Sequence, residues 1–520
     1  MSHPTTPRVI ANHLGYEARG PKRFVYQGGD DAAALHFRVV NAAGDAVTSG
    51  ELETPAPVDA WSTGLGGYGG HMVIAPPHGP AVTVDFNAWQ PGRFDDAAIA
   101  APVAINGPQS SCVANVVAGL HLAVTAHGLR GWERACLPAI DLAERGVAMN
   151  DTTASAFDDA EGFDFVDACF RFETLDGTTW FRQPDLANTL RGLAERGPEW
   201  FYEGPIADTF AAAFRRAGRE LTAADWAGAR ESVAEAPASC VRVGDAELAL
   251  APLGVSGSIS AAATMAAGAR VLEAGAPETA EGTAEWAERI AGVWAHRMAR
   301  PGGNDFSADT DLAAWIEQAL AAAPVATLKP DSGHTCHLNT ADADGTLVAV
   351  TLTHGPQWFG ARWALPGTGL IMNSGMALFA AAPARRYNDR AYAVTNMSPT
   401  VARSDDGARI AVGCPGARRI PANVGMMLAR HLHAGQDLPA AVAGGRVHAE
   451  TTGRAGLESE RLPAGSADAL GARFGRVSEE DWRHYFGPLT AIRRDPDGTF
   501  QLGLDDRPVR GYGNTGAPAS

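Results

Sequence analysis

Three hydroxyl side chains beyond the middle of the chain are spaced for nucleophilic chemistry. Residues 335–353 read TCHLNTADADGTLVAVTLT, two β-forming runs around Asp-Ala-Asp-Gly, and Asp344-Gly345 is a strong hairpin signal. Pairing the runs symmetrically about residues 343–345 sets Thr335 opposite Thr353, or one residue off if the loop has two residues. Thr335, Thr351 and Thr353 then gather at one end of a β-ribbon. Alone, such a cluster is ordinary, because threonine suits strands by shape. Three later segments give it weight: Gly369-Leu370-Ile371-Met372-Asn373-Ser374-Gly375-Met376, Asn396-Met397-Ser398-Pro399-Thr400 and Gly413-Cys414-Pro415-Gly416-Ala417-Arg418-Arg419. All are polar, glycine-bearing loops, and loops of small residues expose the backbone N–H groups that an oxyanion hole requires.

The elements that must position these groups show in the residue pattern. Short β-like runs occur at Phe24–Tyr26 and Leu35–Val40. Helical spacing recurs at Asn115–Gly128, Leu137–Arg145, Asp185–Arg196, Ile206–Ala217 and Ser258–Ala274, and Thr222 with Asp225 resembles a capping box. Helical patterns are expected to dominate to about residue 325, and the chain changes character near Pro330. Gly64-Leu65-Gly66-Gly67-Tyr68-Gly69 fits the dinucleotide fingerprint, and Asp85 falls where a ribose-binding acid would stand. Yet His71–Ala75 reads as a strand and Pro76-Pro77 forbids the helix that would cradle a pyrophosphate. A close backbone approach explains the glycines better. His431 and His433 are two apart on an apparent helix, so they face different sides, as a surface and a packing residue more often do than metal ligands.

Composition narrows the partners. With 520 residues, 46% apolar and 19% charged, the chain can bury a large core without staples. Lys plus Arg is 42 and Asp plus Glu is 59, a net charge of −17, so nucleic acid and membrane surfaces are poor partners. The six cysteines, Cys112, Cys136, Cys169, Cys240, Cys336 and Cys414, show no metal-ligand spacing and read as reduced thiols. No apolar leader follows the N-terminal basic residues and no run approaches 18 apolar residues, so the expected location is the cytoplasm. No metal or organic cofactor is implied.

In this order the segments resemble the γ-glutamyltranspeptidase family of N-terminal-nucleophile hydrolases. Gly64–Gly70 with Asp85-Phe86, Val116-Val117-Ala118-Gly119-Leu120, Gln183-Pro184-Asp185-Leu186-Ala187 and Phe201-Tyr202-Glu203-Gly204 look like family landmarks, and the likeness runs from about residue 60 to 450. The resemblance implies an α+β fold, a four-layer αββα sandwich with a helical large-subunit lobe, made as a proenzyme that cuts itself between His334 and Thr335. Residues 1–334 would form the large-subunit region, with 1–60 β-rich, and 335–520 the small-subunit region. Partners would be its own two subunits, with a homodimer allowed. The family's second Thr is Cys336 here, whereas His337 matches. Thr335 would attack the His334 carbonyl to give an ester that water opens. Its freed α-amine, with a reference pKa of about 7.7 to 8.0, would then serve as general base. Thr353 matches the family's threonine that hydrogen-bonds the nucleophile. The N–H groups of Gly416 and Ala417 match the oxyanion hole, with Ala restricting φ where the family has a second Gly.

The substrate-binding positions depart further. Asn87 stands at the carboxylate-clamping Arg, Gly375 and Leu378 at the Gln and Asp that hold the α-amine, Gly355 at an Asn, and Thr395-Asn396 at a paired Ser. An enclosed glutamyl head group needs both charges paired, and leaving them unpaired costs several kcal/mol. Leu378 and Trp358 suggest a more apolar acyl group, while Arg362 or Arg418 could meet a carboxylate, although an ion pair is the ordinary use of either. The expectation is an autoprocessing amidohydrolase or acyltransferase acting on a small amide that is not a standard γ-glutamyl compound, with water or an amine acceptor resolving the acyl-enzyme. A family member that has lost catalysis and acts as a binding or structural protein is the rival, motivated by Cys336, Ala417 and the altered pocket. A true γ-glutamyltranspeptidase with a rebuilt pocket ranks third.

Overall fold

The computed structural model describes residues 64–507, apart from 92–104, 300–305, 307–309, 326–333, 382–384, 388–389, 480–485 and single positions at 130, 176, 274, 276, 343, 356 and 506, together with four upstream strands. Residues 1–58 with 514–520 form one unit and residues 59–513 another. In the first, Arg8–Ala11 pairs with Phe24–Gln27 and Leu35–Val40 with Ala46–Leu52, where β-like runs are expected.

The second unit is a mixed α and β fold built on two antiparallel sheets. Their strands are, in chain order, β1 (Gly69–Ala75), β2 (Val82–Phe86), β3 (Ala234–Pro237), β4 (Ser239–Val243), β5 (Ala246–Leu250), β6 (His334–Ala341), β7 (Leu347–Gly355), β8 (Thr400–Ser404), β9 (Arg409–Gly413), β10 (Thr490–Arg494) and β11 (Phe500–Leu504). One sheet has the order β3-β2-β1-β7-β6, the other β4-β5-β8-β9-β10-β11. Four helices pack on them: α1 (Val116–His127), α2 (Ser258–Val271), α3 (Ala280–Met298) and α4 (Arg419–Leu432).

Alternation along the strands decides which side faces what. Met72 and Ile74 of β1, Val84 and Phe86 of β2, and Val350 and Leu352 of β7 pack against Val116 and Ala123 of α1. Gly119 makes that approach possible, since a β-carbon there would lie 2.2 Å from Phe86 Cγ. Burying a Phe of this kind contributes about 1.5–3 kcal/mol. The opposite faces meet between the sheets, where Val73, Ala75, Leu347 and Ala349 contact Ala249, Val401 and Ala411. Beyond the second sheet, Leu248, Leu250, Ile410 and Val412 join residues of α2, α3 and α4 in the largest core.

Several expected elements take a different form. Between residues 147 and 250 helices predominate as expected, but strands interrupt them, because Arg171–Leu175 pairs with Thr178–Arg182 and β3, β4 and β5 follow. Asp176-Gly177 and Gly244-Asp245 are turn pairs between β-branched or aromatic runs, and they outweigh the weak helical spacing. The helix expected at 185–196 lies within Pro184–Glu203, which breaks at Gly197 (φ 73°) ahead of Pro198. The Thr222–Asp225 capping box forms. Among the described residues no helix is long and apolar enough to cross a membrane.

Candidate active site

The hairpin of β6 and β7 has the register its turn predicts. Ladder pairs run from Ala341 with Leu347 to Cys336 with Leu352, then slip so that His334 pairs with Gly355. The slip sets Thr335 alone on β6 against both Thr353 and His354 on β7. Bulges of this kind re-aim a side chain at a strand end. Thr335 is half-buried and Thr353 buried. The Thr353 hydroxyl oxygen accepts the Gly355 N–H at 2.9 Å. Gly355 has φ 130°, and a β-carbon there would fall 2.2 Å from Ser374 Oγ, so backbone geometry requires glycine where an Asn side chain would be expected.

A polar row crosses the inner face of the same sheet. Cross-strand pairs Asp85 with His71, His71 with Thr351 and Thr351 with His337 place these four residues on one face. His337 Nδ1 lies 2.8 Å from Thr351 Oγ1 and its Nε2 lies 3.0 Å from Asn339 Oδ1. The Asn339 amide nitrogen donates to the Thr490 carbonyl at 2.9 Å, which orients Oδ1 toward the ring. An amide oxygen only accepts, so His337 carries its proton on Nε2 and accepts the Thr351 hydroxyl proton at Nδ1. Burial pushes the His337 pKa down to about 4, against a smaller upward pull from Asn339. The ring is therefore neutral near pH 7.

Gly413 makes room for that ring, since a β-carbon there would lie 2.3 Å from its Cε1. At the other end of β9, Arg409 donates to the Gly345 carbonyl at 2.6 Å. Strand β9 thus runs from the hairpin turn toward the Thr335 end and carries Gly416 and Ala417 in that direction. The carbonyls of Gly416 and Ala417 accept from Arg419 N–H (3.0 Å) and Ile420 N–H (3.2 Å) in the first turn of α4, which turns their own N–H groups to the helix's N-terminal side. Gly416 has φ 127° and Ala417 φ 53°. A non-glycine residue in the left-handed region costs about 1–3 kcal/mol.

The substrate-pocket positions are closed by local contacts. Asn87 is buried, its amide nitrogen on the Ala393 carbonyl at 2.6 Å and its oxygen on Ala88 N–H at 2.8 Å. A β-carbon on Gly375 would lie 2.3 Å from Cys112 Sγ. Leu378 packs with Tyr68, Met376, Phe379 and Met397. Asn396 is half-buried and its carbonyl accepts from Ser398 Oγ. Trp358 belongs instead to a phenylalanine-rich cluster with Phe165, Phe170 and Phe359, so it does not join Leu378 in one apolar wall. Arg362 pairs with Asp159 and lies over Phe163, while Arg418 is buried and paired with Glu450 at 2.9 Å. The four cysteines Cys112, Cys136, Cys169 and Cys414 are buried free thiols.

Thr395 is held from two sides by residues that sequence reasoning passes over. His71 Nε2 lies 3.0 Å from Thr395 Oγ1 and His71 Nδ1 3.2 Å from Asp85 Oδ1. Arg297 of α3 donates to the Thr395 carbonyl. His71 sits in an apolar strand and Arg297 in an amphipathic helix, so no local pattern marks either.

The sequence model of the gamma-glutamyltranspeptidase family matches residues 56–513. The chain is 27% identical over 431 residues to a glutathione hydrolase proenzyme of Pseudomonas aeruginosa, covering 75% of each chain. It is 25% identical over 499 residues to the Escherichia coli glutathione hydrolase proenzyme, covering 86% of this chain and 83% of that one. An acylase ACY 1 proenzyme of Pseudomonas sp. is 34% identical over 174 residues, a third of this chain (33%) and 30% of that one. Among solved structures, cephalosporin acylase from Bacillus halodurans superposes with a TM-score of 0.74 at 20% identity, over 86% of this chain and 87% of its own.

Proposed function

Because the chain belongs to the γ-glutamyltranspeptidase family, we propose that it is an autoprocessing amidohydrolase or acyltransferase whose nucleophile is Thr335. On this reading the four-layer αββα arrangement holds a proenzyme that cuts itself between His334 and Thr335. The carrying observation is the bulge that sets Thr335 against Thr353 at the end of the hairpin toward which β9 leads Gly416 and Ala417. The hydroxyl attacks the His334 carbonyl carbon, the C–N bond breaks as the amine takes a proton, and water hydrolyses the resulting ester. The α-amine of Thr335 then accepts the hydroxyl proton as Thr335 attacks a substrate amide. Oxyanion charge falls to the N–H groups of Gly416 and Ala417, where the start of α4 adds positive potential. The leaving amine takes a proton, and water or an acceptor amine releases the acyl group.

The substrate proposed is a small amide other than a standard γ-glutamyl compound. In support, Asn87 is committed to backbone partners, and Gly375 and Leu378 present no polar side chain to an ammonium. The names of the relatives include both glutathione hydrolases and acylases, which fits amide chemistry without fixing the acyl group. Mass spectrometry of the purified protein after incubation with a β-lactone tests the reading. The expected adduct is on the peptide beginning at Thr335, and an unprocessed chain with no adduct there would refute it.

A further inference from the structure

The strained turn at Ala417 is braced from the side by a buried ion pair. Arg418 follows it directly and enters α4 with helical φ −65°, whereas Ala417 holds φ 53°. Such strain persists only where the surroundings over-determine it. The Arg418 side chain is 4% exposed, and its guanidinium lies 2.9 Å from Glu450 on the strand Val447–Thr451 and 5.9 Å from the ring centre of Trp294 in α3. Glu450 is held in turn by His448, whose Nε2 lies 3.0 Å from the other carboxylate oxygen. Burial keeps the His448 ring below its ordinary range, so it is neutral near pH 7. A carboxylate only accepts, so the ring proton sits on Nε2. Trp294 packs edge-on against the same imidazole, with ring centres 6.3 Å apart at 84°. Although burial pushes the Glu450 carboxyl up, the His448 hydrogen bond and the Arg418 charge hold it at about 2, and it stays ionised. Breaking a buried ion pair from one side strands charge in the interior and slackens the hold on the other partner. A slackened Arg418 moves the residue next to Ala417.

We propose that Glu450 is a positioning residue for the oxyanion turn, acting through Arg418 to keep Ala417 in the left-handed conformation that aims the Gly416 and Ala417 N–H groups. This inference rests on the reading of that turn as the oxyanion hole of a Thr335 nucleophile. Glu450 acts at one remove, through the residue it grips.

The test is a double-mutant cycle on the purified full chain, following acylation of Thr335 by a β-lactone with mass spectrometry. Glu450→Gln keeps an acceptor for His448 but removes the charge that Arg418 meets. It should lower the maximal acylation rate about 30-fold and leave the half-saturating lactone concentration nearly unchanged. In the Ala417→Gly background the turn is unstrained, and the same substitution should cost less than about threefold. Glu450→Asp keeps the charge and should retain part of the rate. Equal losses in both backgrounds would overturn the proposal, since they mark general support of the fold, and so would a wild-type rate in Glu450→Gln. Should Glu450→Gln not fold, the pair Arg418→Met with Glu450→Gln removes both charges together and takes its place in the cycle, with the same outcomes. Failure of the Thr335 reading shows separately, as absence of any adduct on the wild-type peptide that begins at Thr335. Amide hydrogen exchange is independent of that chemistry. The peptide covering residues 413–420 should exchange about tenfold faster in Glu450→Gln than in the wild type, and unchanged exchange would overturn the brace whatever the state of Thr335.

Discussion

His337 Nδ1 and Thr351 Oγ1 are 2.8 Å apart across one hairpin, and the direction of that bond is fixed by Asn339 on the other side of the ring. In the neutral imidazole the chain therefore runs from the Thr351 hydroxyl through His337 to Asn339, whose amide donates on to Thr490. Protonating the ring would turn Nδ1 into a donor, and the Thr351 hydroxyl would have to rotate and accept.

Stability should consequently fall in acid. Burial holds His337 and His354 at about 4, whereas an unfolded histidine titrates near 6.5. Below that higher value the unfolded chain binds protons that the folded chain refuses, so stability is full above about pH 6.5 and declines as pH falls toward 4, by up to roughly 3 kcal/mol for each ring. Urea midpoints at pH 7 and pH 5 check this, and His337→Gln should flatten part of the slope. Equal midpoints in the wild type would contradict it.

Self-cleavage should depend on one hydroxyl. Denaturing electrophoresis is expected to show two fragments for the wild type and a single 54.2 kDa chain for Thr335→Ala. Thr335→Ser keeps a hydroxyl and should still be cut. Thr353→Val removes a hydroxyl facing the nucleophile and should slow cutting by about 10²-fold or more.

Relief of strain is expected from Ala417→Gly. Ala417 holds φ 53°, a region that glycine enters freely. The gain is offset by glycine's extra freedom when unfolded, leaving the variant about 0–1 kcal/mol more stable by denaturant titration. A clear loss of stability would mean that the methyl group is needed for packing.

Restoring glutamine at position 375 should fail. Its β-carbon would meet Cys112 Sγ at 2.3 Å, inside a buried contact with Asn373. Gly375→Gln is expected to cost about 1–3 kcal/mol through overpacking, and Cys112→Ala in the same chain should recover part of it. Thermal denaturation of the single and double variants decides between this and a roomy pocket.

What was legible in the sequence was what short-range chemistry dictates. Asp344-Gly345 sets the turn, and the turn sets which residues face each other over the next ten positions, so Thr335 could be placed against Thr353 to within one residue from spacing alone. Capping at Thr222 and the break before Pro198 are local for the same reason. His71 and Thr395 could not be paired in advance, because 324 residues separate them and only the stacking of two sheets brings them together. Arg297 was equally silent, since a helix pattern gives the face of a residue and not the Thr395 carbonyl to which it donates. The strands at 171–182 and 234–250 were hidden by their shortness, with too few residues for period two to stand out against alanine-rich surroundings.

Both sheets are assembled from chain on either side of residue 335. Strands β1 and β7 are joined through seven residue pairs and β5 and β8 through five, whereas β6 lies at a sheet margin with a partner on one side only. Severing the backbone ahead of Thr335 would therefore free a loose end at that margin and leave both seams zipped. The two products would stay interlocked like the halves of a clasp, and separating them would require unfolding both.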